Sequence, residues 1–346
     1  MLKAGSIAAI ILPASILSNG NGTYLKTREI LLQYFDIAAI AEFGSGTFGK
    51  TGTNTVTLFL RRKPTAPDTA DHYRERVAEW FTADANQPVY QDEHRIDRYA
   101  AHIGVPAADY KTLLQGNAHG PWCKADHFEA YTTAFNDSSE IKKLYTQPRF
   151  KRLPQAEQDA EIDKRYLAFV HAIERDKLLC FVLASDQKNP VLIIKSPSDT
   201  KAQKQFLGYD WSSAKGDEGI KLVKDAHGRH QTVLYDEVDR NNADKLNRCI
   251  ADNFDGKLTA IPEALSGFAG EARLVDMLNF SRVVFEKQIA LTPKKSVYVQ
   301  SSRYPMERLI NLSAMLRRGK AAKYGASSIQ IIKSGQARGN FEFDFS

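Results

Sequence analysis

Cysteine is scarce in this sequence, long apolar runs are missing, and no stretch repeats another. The three cysteines among 346 residues, Cys123, Cys180 and Cys249, are odd in number and far apart, which excludes a disulfide framework and any paired Cys metal spacing. They read as buried thiols in a reducing cytoplasm. The longest apolar run, Ile7 to Leu17, is broken by Pro13 and is too short to span a bilayer, so no membrane partner is expected. Lys3 precedes that run, yet no small-x-small cleavage site follows at Leu17-Ser18-Asn19-Gly20, which argues against a secretion signal. What is present is the balance of a globular protein: 43% hydrophobic and 25% charged residues, in a length that allows two or three domains.

The net charge of +6 is concentrated in two places. Residues 1–63 carry seven Lys/Arg against three acids. Residues 303–338 carry eight Lys/Arg against Glu307 alone. An excess of this kind suits a polyanion, with a solvated basic face as the alternative.

Hydrophobic patterning predicts the order of elements. Ser6 to Leu12 is a continuous apolar run ended by Pro13, the composition of a central strand covered on both faces. A Gly20, Gly22 turn leads to an amphipathic helix carrying Tyr24, Leu31, Leu32 and Phe35, with Thr23 as its expected N-cap. Ile37 to Phe43 and Asn54 to Arg61 are two further strands. A helical crossover between the first two strands predicts parallel neighbours, and a direct return from the second to the third predicts an antiparallel hairpin. Beyond Arg61-Arg62-Lys63-Pro64 the pattern turns helical over Asp71 to Ala83, Ala107 to Gln115, Ala125 to Ala134 and Gln155 to Leu179, before a short strand at Val191 to Lys195.

Between the second and third strands lies Gly44-Ser45-Gly46-Thr47-Phe48-Gly49-Lys50-Thr51, which satisfies the G-x-x-x-x-G-K-[ST] pattern of a nucleotide phosphate loop. That loop must run into a helix whose N-terminal amides hold phosphate. Here Gly52-Thr53-Asn54-Thr55-Val56-Thr57-Leu58-Phe59-Leu60 follows, a strand sequence, so the match is a decoy. The same loop fits the G-x-G-x-x-G of protein kinases, but no Val-Ala-x-Lys, His-Arg-Asp or Asp-Phe-Gly accompanies it.

Several stretches, Gly5-Ser6-Ile7-Ala8-Ala9-Ile10-Ile11-Leu12-Pro13, Thr27-Arg28-Glu29-Ile30-Leu31-Leu32 and Ala41-Glu42-Phe43 through Thr55, resemble the closing portion of an adenine-N6 DNA methyltransferase subunit of type I restriction-modification systems or a fused relative. Phe206-Leu207-Gly208-Tyr209-Asp210-Trp211-Ser212, Gly216-x-Glu218-Gly219-Ile220 and Leu234-Tyr235-Asp236 resemble the segment that follows the catalytic domain there. Tyr304-Pro305, Leu309-Ile310-Asn311-Leu312, Arg318-Gly319-Lys320 and Ile331-Ile332-Lys333-Ser334-Gly335 resemble the opening of a target-recognition domain.

The resemblance implies an α/β fold: the C-terminal part of a doubly wound, Rossmann-like methyltransferase sheet ending in an antiparallel hairpin, then a mainly helical region and the start of a recognition domain. The corresponding divisions are residues 1–65, 66–180, 181–300 and 301–346. S-adenosylmethionine is the implied cofactor, with no metal. DNA is the implied partner, alongside specificity and restriction subunits or a missing N-terminal methyltransferase half. In the family the target adenine is flipped out of the duplex, and an aromatic face must replace its lost stacking. By resemblance Phe48 takes that role, an ordinary plug between strands being the alternative. Gly44, Gly46 and Gly49 would let the loop turn tightly, and Lys50, Arg317, Arg318, Lys320 and Lys323 would contact DNA.

Two family motifs are absent. No acidic residue followed by Pro and Gly-x-Gly supplies a cofactor loop, and no Asn/Asp-Pro-Pro-Tyr/Phe holds the adenine amine; the one Asn-Pro, Asn189-Pro190, runs into Val191. No catalytic residue is therefore assigned. The expectation is a truncated modification subunit that does not methylate DNA by itself, the alternative being a non-catalytic DNA-binding or assembly module. Two weaker clusters remain. His119, Cys123 and His127 have helical metal spacing, but Gly120-Pro121 interrupts it. His227, Arg229 and His230 fall in a turn-like stretch and read as solvated.

Overall fold

A computed structural model describes residues 2–44, 47, 53–82, 90–210 and 220–292. Residues 1–294 form one compact unit, organised around a mixed sheet of strands β1 (Ile7–Pro13), β2 (Phe35–Phe43), β3 (Thr55–Arg62), β4 (Val191–Lys195) and a last strand, Ala269–Ala272. The hairpin β5 (Tyr209–Asp210) and β6 (Lys221–Leu222) stands apart from it, so the last strand is β7. The spatial order is β1-β3-β2-β4-β7.

β3 runs antiparallel to both β1 and β2, β4 is parallel to β2, and β7 is antiparallel to β4. The chain is thus α/β, and the β2–β3 hairpin lies where the sequence places it. The expected adjacency of the first two strands is corrected. β1 and β2 do point the same way, but the returning β3 inserts between them. A helical crossover fixes direction and hand; it does not fix how many strand positions are crossed.

The crossover is α1 (Gly22–Tyr34). Its N-cap is Asn21, whose side chain accepts from the Thr23 N–H at 3.4 Å, so the cap lies two residues before the expected Thr23. Leu31 and Leu32 of α1 pack on one face of the sheet, against Ile37 and Ile40 of β2, Val56, Leu58 and Leu60 of β3, and Val191 and Ile193 of β4. This face is also covered by α2 (Asp68–Trp80) through Val77 and Trp80, and by the long α8 (Gln155–Ser185) through Val170, Leu178, Phe181 and Val182. Side chains this size contribute about 1.5–3 kcal/mol each when fully buried. The rest of the helical layer comprises α3 (Glu93–His102), α4 (Ala107–Leu114), α5 (Glu129–Asp137), α6 (Ser139–Thr146) and α7 (Pro148–Lys151).

Ala39 and Ala41 of β2 and Leu192 and Ile194 of β4 point to the opposite face, under Phe206 and Leu207 of α9 (Thr200–Leu207) and Leu246 and Cys249 of α10 (Leu246–Phe254). A β-bulge at Ala38 makes this two-sidedness work. The register of β2 on β3 shifts between Ile37 and Ala39, so Ile37 and Ile40 share the α8 face although they are three residues apart. The backbone groups freed by the bulge are satisfied from outside the hairpin. The Gln187 amide accepts from Ile37 N–H at 2.8 Å and donates to its carbonyl at 3.0 Å, while the buried Asn253 donates to Ala38 O at 2.7 Å.

β1 departs from the central strand its composition suggests. It pairs with β3 alone among the described strands, and Ile7, Ile10 and Ile11 are 53%, 40% and 58% exposed. No helix among the described residues is long and apolar enough to cross a membrane.

Candidate functional site

In open α/β sheets, ligand sites form in the crevice beyond the carboxyl ends of parallel strands. β2 and β4 are parallel neighbours here, and both end at the same rim, with Glu42 paired to Lys195. From β2 the chain enters the glycine loop at Gly44; from β4 it passes through Ser196 to α9, which lies on the opposite face. The two exits are stitched together. The Ser196 N–H donates to Glu42 O at 3.0 Å, and the Gly44 N–H donates to Ser196 Oγ at 3.0 Å.

Gln203 of α9, only 5% exposed, donates to Thr47 Oγ1 at 3.1 Å, while that hydroxyl donates to Gly44 O at 2.9 Å. The space left by the missing Gly44 side chain is taken by Gln203: a Cβ there would lie 2.8 Å from Gln203 Nε2. Gly44 thus serves close approach between β2 and α9. The α9 N-terminus is already occupied, because Asp199 caps the Ala202 N–H at 2.9 Å. Beside it an open groove of about 540 Å³ is lined by Thr200, Lys201, Lys204 and Asp210, with Lys204 and Asp210 paired at 2.9 Å.

The next described element after the glycine loop is strand β3, so among the described residues no helix follows it as a phosphate loop needs. Of the sequence-predicted site residues, Gly44 stands at this rim. Gly46, Phe48, Gly49 and Lys50 lie outside the described residues, as do Arg317, Arg318, Lys320 and Lys323. Ser196 and Gln203 escaped the sequence reading. The Ser196-Pro197-Ser198-Asp199 capping pattern marks a helix start just after a buried strand, and was the available signal for them.

The histidine clusters resolve differently from their sequence patterns. His119 Nε2 meets Asp163 at 2.7 Å, Cys123 Sγ donates to Ala118 O at 3.3 Å, and His127 Nε2 meets Glu174 at 3.1 Å, so the three side chains turn to three separate partners. Burial raises the Cys123 thiol pKa. Among the described residues no group of three or more His, Cys, Asp or Glu side chains is placed to hold a metal. His230 is a correction: it is buried, not solvated. Its Nε2 donates to Gly208 O at 2.9 Å, which leaves Nδ1 to accept from the Tyr235 hydroxyl at 2.7 Å. Gly208 sits at φ +76°, where a Cβ would come within 2.4 Å of that ring.

A second convergence of polar side chains is wholly enclosed. Glu174 of α8 has no exposed surface and is met by Tyr99 Oη at 2.9 Å, Tyr110 Oη at 3.2 Å, His127 Nε2 at 3.1 Å, the Tyr131 hydroxyl, and Lys177 Nζ at 3.4 Å. Burial pushes the Glu174 carboxyl upward. The hydrogen bond and charge of His127, the Lys177 ammonium and the Tyr131 hydroxyl outweigh it and hold the group at about 2. The cluster joins α3, α4, α5 and α8 with every Glu174 oxygen partnered, and the Glu174 and Lys177 side chains have no exposed surface.

Comparison with known protein families, with curated proteins and with solved structures gives no significant match.

Proposed function

We propose that this chain supplies the closing strands of an S-adenosylmethionine-dependent, adenine-N6 DNA methyltransferase of a restriction-modification system, and works on DNA in the cytoplasm together with a polypeptide that carries the missing motifs. The observation that supports this best is the rim: a glycine-rich loop joining two antiparallel strands and pinned through Gly44 and Thr47 to Ser196 and Gln203, beyond the carboxyl ends of parallel β2 and β4. A loop held there can present an aromatic such as Phe48 to a flipped base. The cofactor loop and the Asn/Asp-Pro-Pro-Tyr/Phe tetrapeptide are absent from the sequence, so methyl transfer requires residues from elsewhere.

Calorimetry with S-adenosylmethionine should show no binding to the chain alone. DNA affinity should fall steeply with salt and weaken in Arg317→Ala/Arg318→Ala. Tight S-adenosylmethionine binding by this chain, or salt-independent DNA binding, would sink the proposal, and ATP binding lost in Lys50→Ala would reinstate a phosphate loop. A second reading, a DNA-binding or assembly module without chemistry, draws support from the basic excess of residues 303–338. It is favoured if DNA binds but no methylation appears when a polypeptide bearing the missing motifs is added.

A further inference from the structure

Among the described strands β1 is a sheet edge, with the sequence of a sheet interior. Edge strands are normally blunted by charge, proline or a bulge, because unpaired N–H and C=O groups recruit other strands. Here Ile7-Ala8-Ala9-Ile10-Ile11-Leu12 is free of all three, and no charged residue occurs between Lys3 and Lys26. The hydrogen-bond pattern shows which groups are open. Arg62 N–H donates to Ser6 O and Ala14 N–H to Asn54 O, both at 2.9 Å, so the even-numbered residues of β1 bond to β3. Ile7, Ala9 and Ile11 therefore turn their backbone groups outward. Their side chains share the face opposite α8, level with Arg61, Phe59 and Thr57 of β3.

We propose that this edge pairs with the same edge of a second copy of the chain, antiparallel about a two-fold axis at Ala9. One register pairs both the N–H and the C=O of every outward residue: Ile7 opposite Ile11 of the second copy, Ala9 opposite its counterpart, and Ile11 opposite Ile7. A shift by two residues would set Ile7 against Pro13, which has no N–H to return. In the chosen register Pro13 instead faces Gly5, whose N–H already donates to Arg62 O at 2.9 Å, so the ladder stops where its donors stop. The side chains agree with the backbone. Ile7 and Ile11 form cross-strand pairs on one face and Ile10 lies over Ala8 on the other, with no charge to repel across the axis. The two sheets become one continuous sheet. This inference goes beyond the proposed function, since it concerns the chain by itself; a polypeptide that extended the sheet along β1 would displace the second copy.

Sedimentation of the full chain across a dilution series tests it. The expected mass is twice the 38.7 kDa of the chain at high concentration. Ile11→Lys, at an exposed position, should weaken association by about tenfold or more, because two cross-strand pairs are lost at once. Ala9→Pro, which removes an outward N–H while sparing the bonds to β3, should also weaken it. Amide exchange at Ile7, Ala9 and Ile11 should be slow in the dimer and fast in Ile11→Lys. A chain that remains at 38.7 kDa throughout, or a dimer unmoved by both substitutions, overturns the proposal.

Discussion

The helical layer and the β1 edge solve the burial problem in opposite ways. Around Glu174 the protein encloses charge and hydroxyl groups and partners every one internally; along β1 it displays apolar side chains and unpaired backbone groups at the surface. The first region is complete within the chain, and its defects would be paid in stability. The second is composed for burial it does not receive among the described residues, so its substitutions should change association while leaving the folded unit intact. That contrast separates structural residues from interaction residues without reference to any relative.

The sharpest way to break it is Glu174→Ala. Removing the carboxylate leaves Lys177 buried with no counter-charge, and His127, Tyr99, Tyr110 and Tyr131 without their shared partner. Breaking a buried pair from one side costs about 3–5 kcal/mol, to be read as a lower urea midpoint at unchanged slope. A loss under about 1 kcal/mol would mean that the cluster is not the polar core of the helical layer.

The same carboxylate predicts an acid response. Its pKa is about 2 when folded against 4.5 for the ordinary group, a depressed value, so its contribution is present above pH 4.5 and is lost as pH falls through the folded pKa near 2. The full shift corresponds to about 3 kcal/mol. Urea midpoints measured between those two pH values should fall more steeply for the native chain than for Glu174→Gln, which has no carboxyl to protonate. Parallel profiles would remove Glu174 from the account of acid unfolding.

The unequal legibility of these regions in the sequence has physical causes. Val191 to Lys195 stands out because the unbroken apolar run Val191-Leu192-Ile193-Ile194 is bounded by Pro190 on one side and Ser196-Pro197 on the other, and the β2–β3 hairpin because its two apolar runs flank a glycine cluster. α3 escaped because Ile96, Tyr99 and Ala100 are its buried positions in a segment that is otherwise charged. β7 escaped because Ala269–Ala272 has weak strand propensity and is held by a non-local pairing with β4. Glu174 and Lys177 carry no sequence signal of burial, because charged residues on a helix ordinarily face water, although they fall in the same stripe as Val170, Ile173 and Leu178. Of the candidate site, only the rim at Gly44 was visible, since Ser196 and Gln203 reach it from more than a hundred residues away.

Between the two extremes lies the rim itself. Gln203→Leu should remove the bond to Thr47 Oγ1 and cost about 1 kcal/mol, the net worth of an ordinary hydrogen bond. Its more informative effect is local: amide exchange at Gly44 and Thr47 should quicken while the α8 core remains protected. Uniformly faster exchange across the unit would instead make Gln203 part of the core.

The smallest expected stability effect is the most diagnostic of the contrast. Ile11 is 58% exposed, its side chain projects from the face of β1 opposite α8, and its backbone groups point away from β3. Replacing it with Lys deletes no internal hydrogen bond and empties no core position, so the folded unit should change by no more than about 0.5 kcal/mol. Measured at a concentration where the chain is monomeric, its urea midpoint should match the native one, even though the same substitution weakens self-association. A large loss of monomer stability would place Ile11 inside the fold and erase the distinction between the edge and the closed core; an unchanged midpoint with weakened association assigns the apolar character of β1 to what it binds.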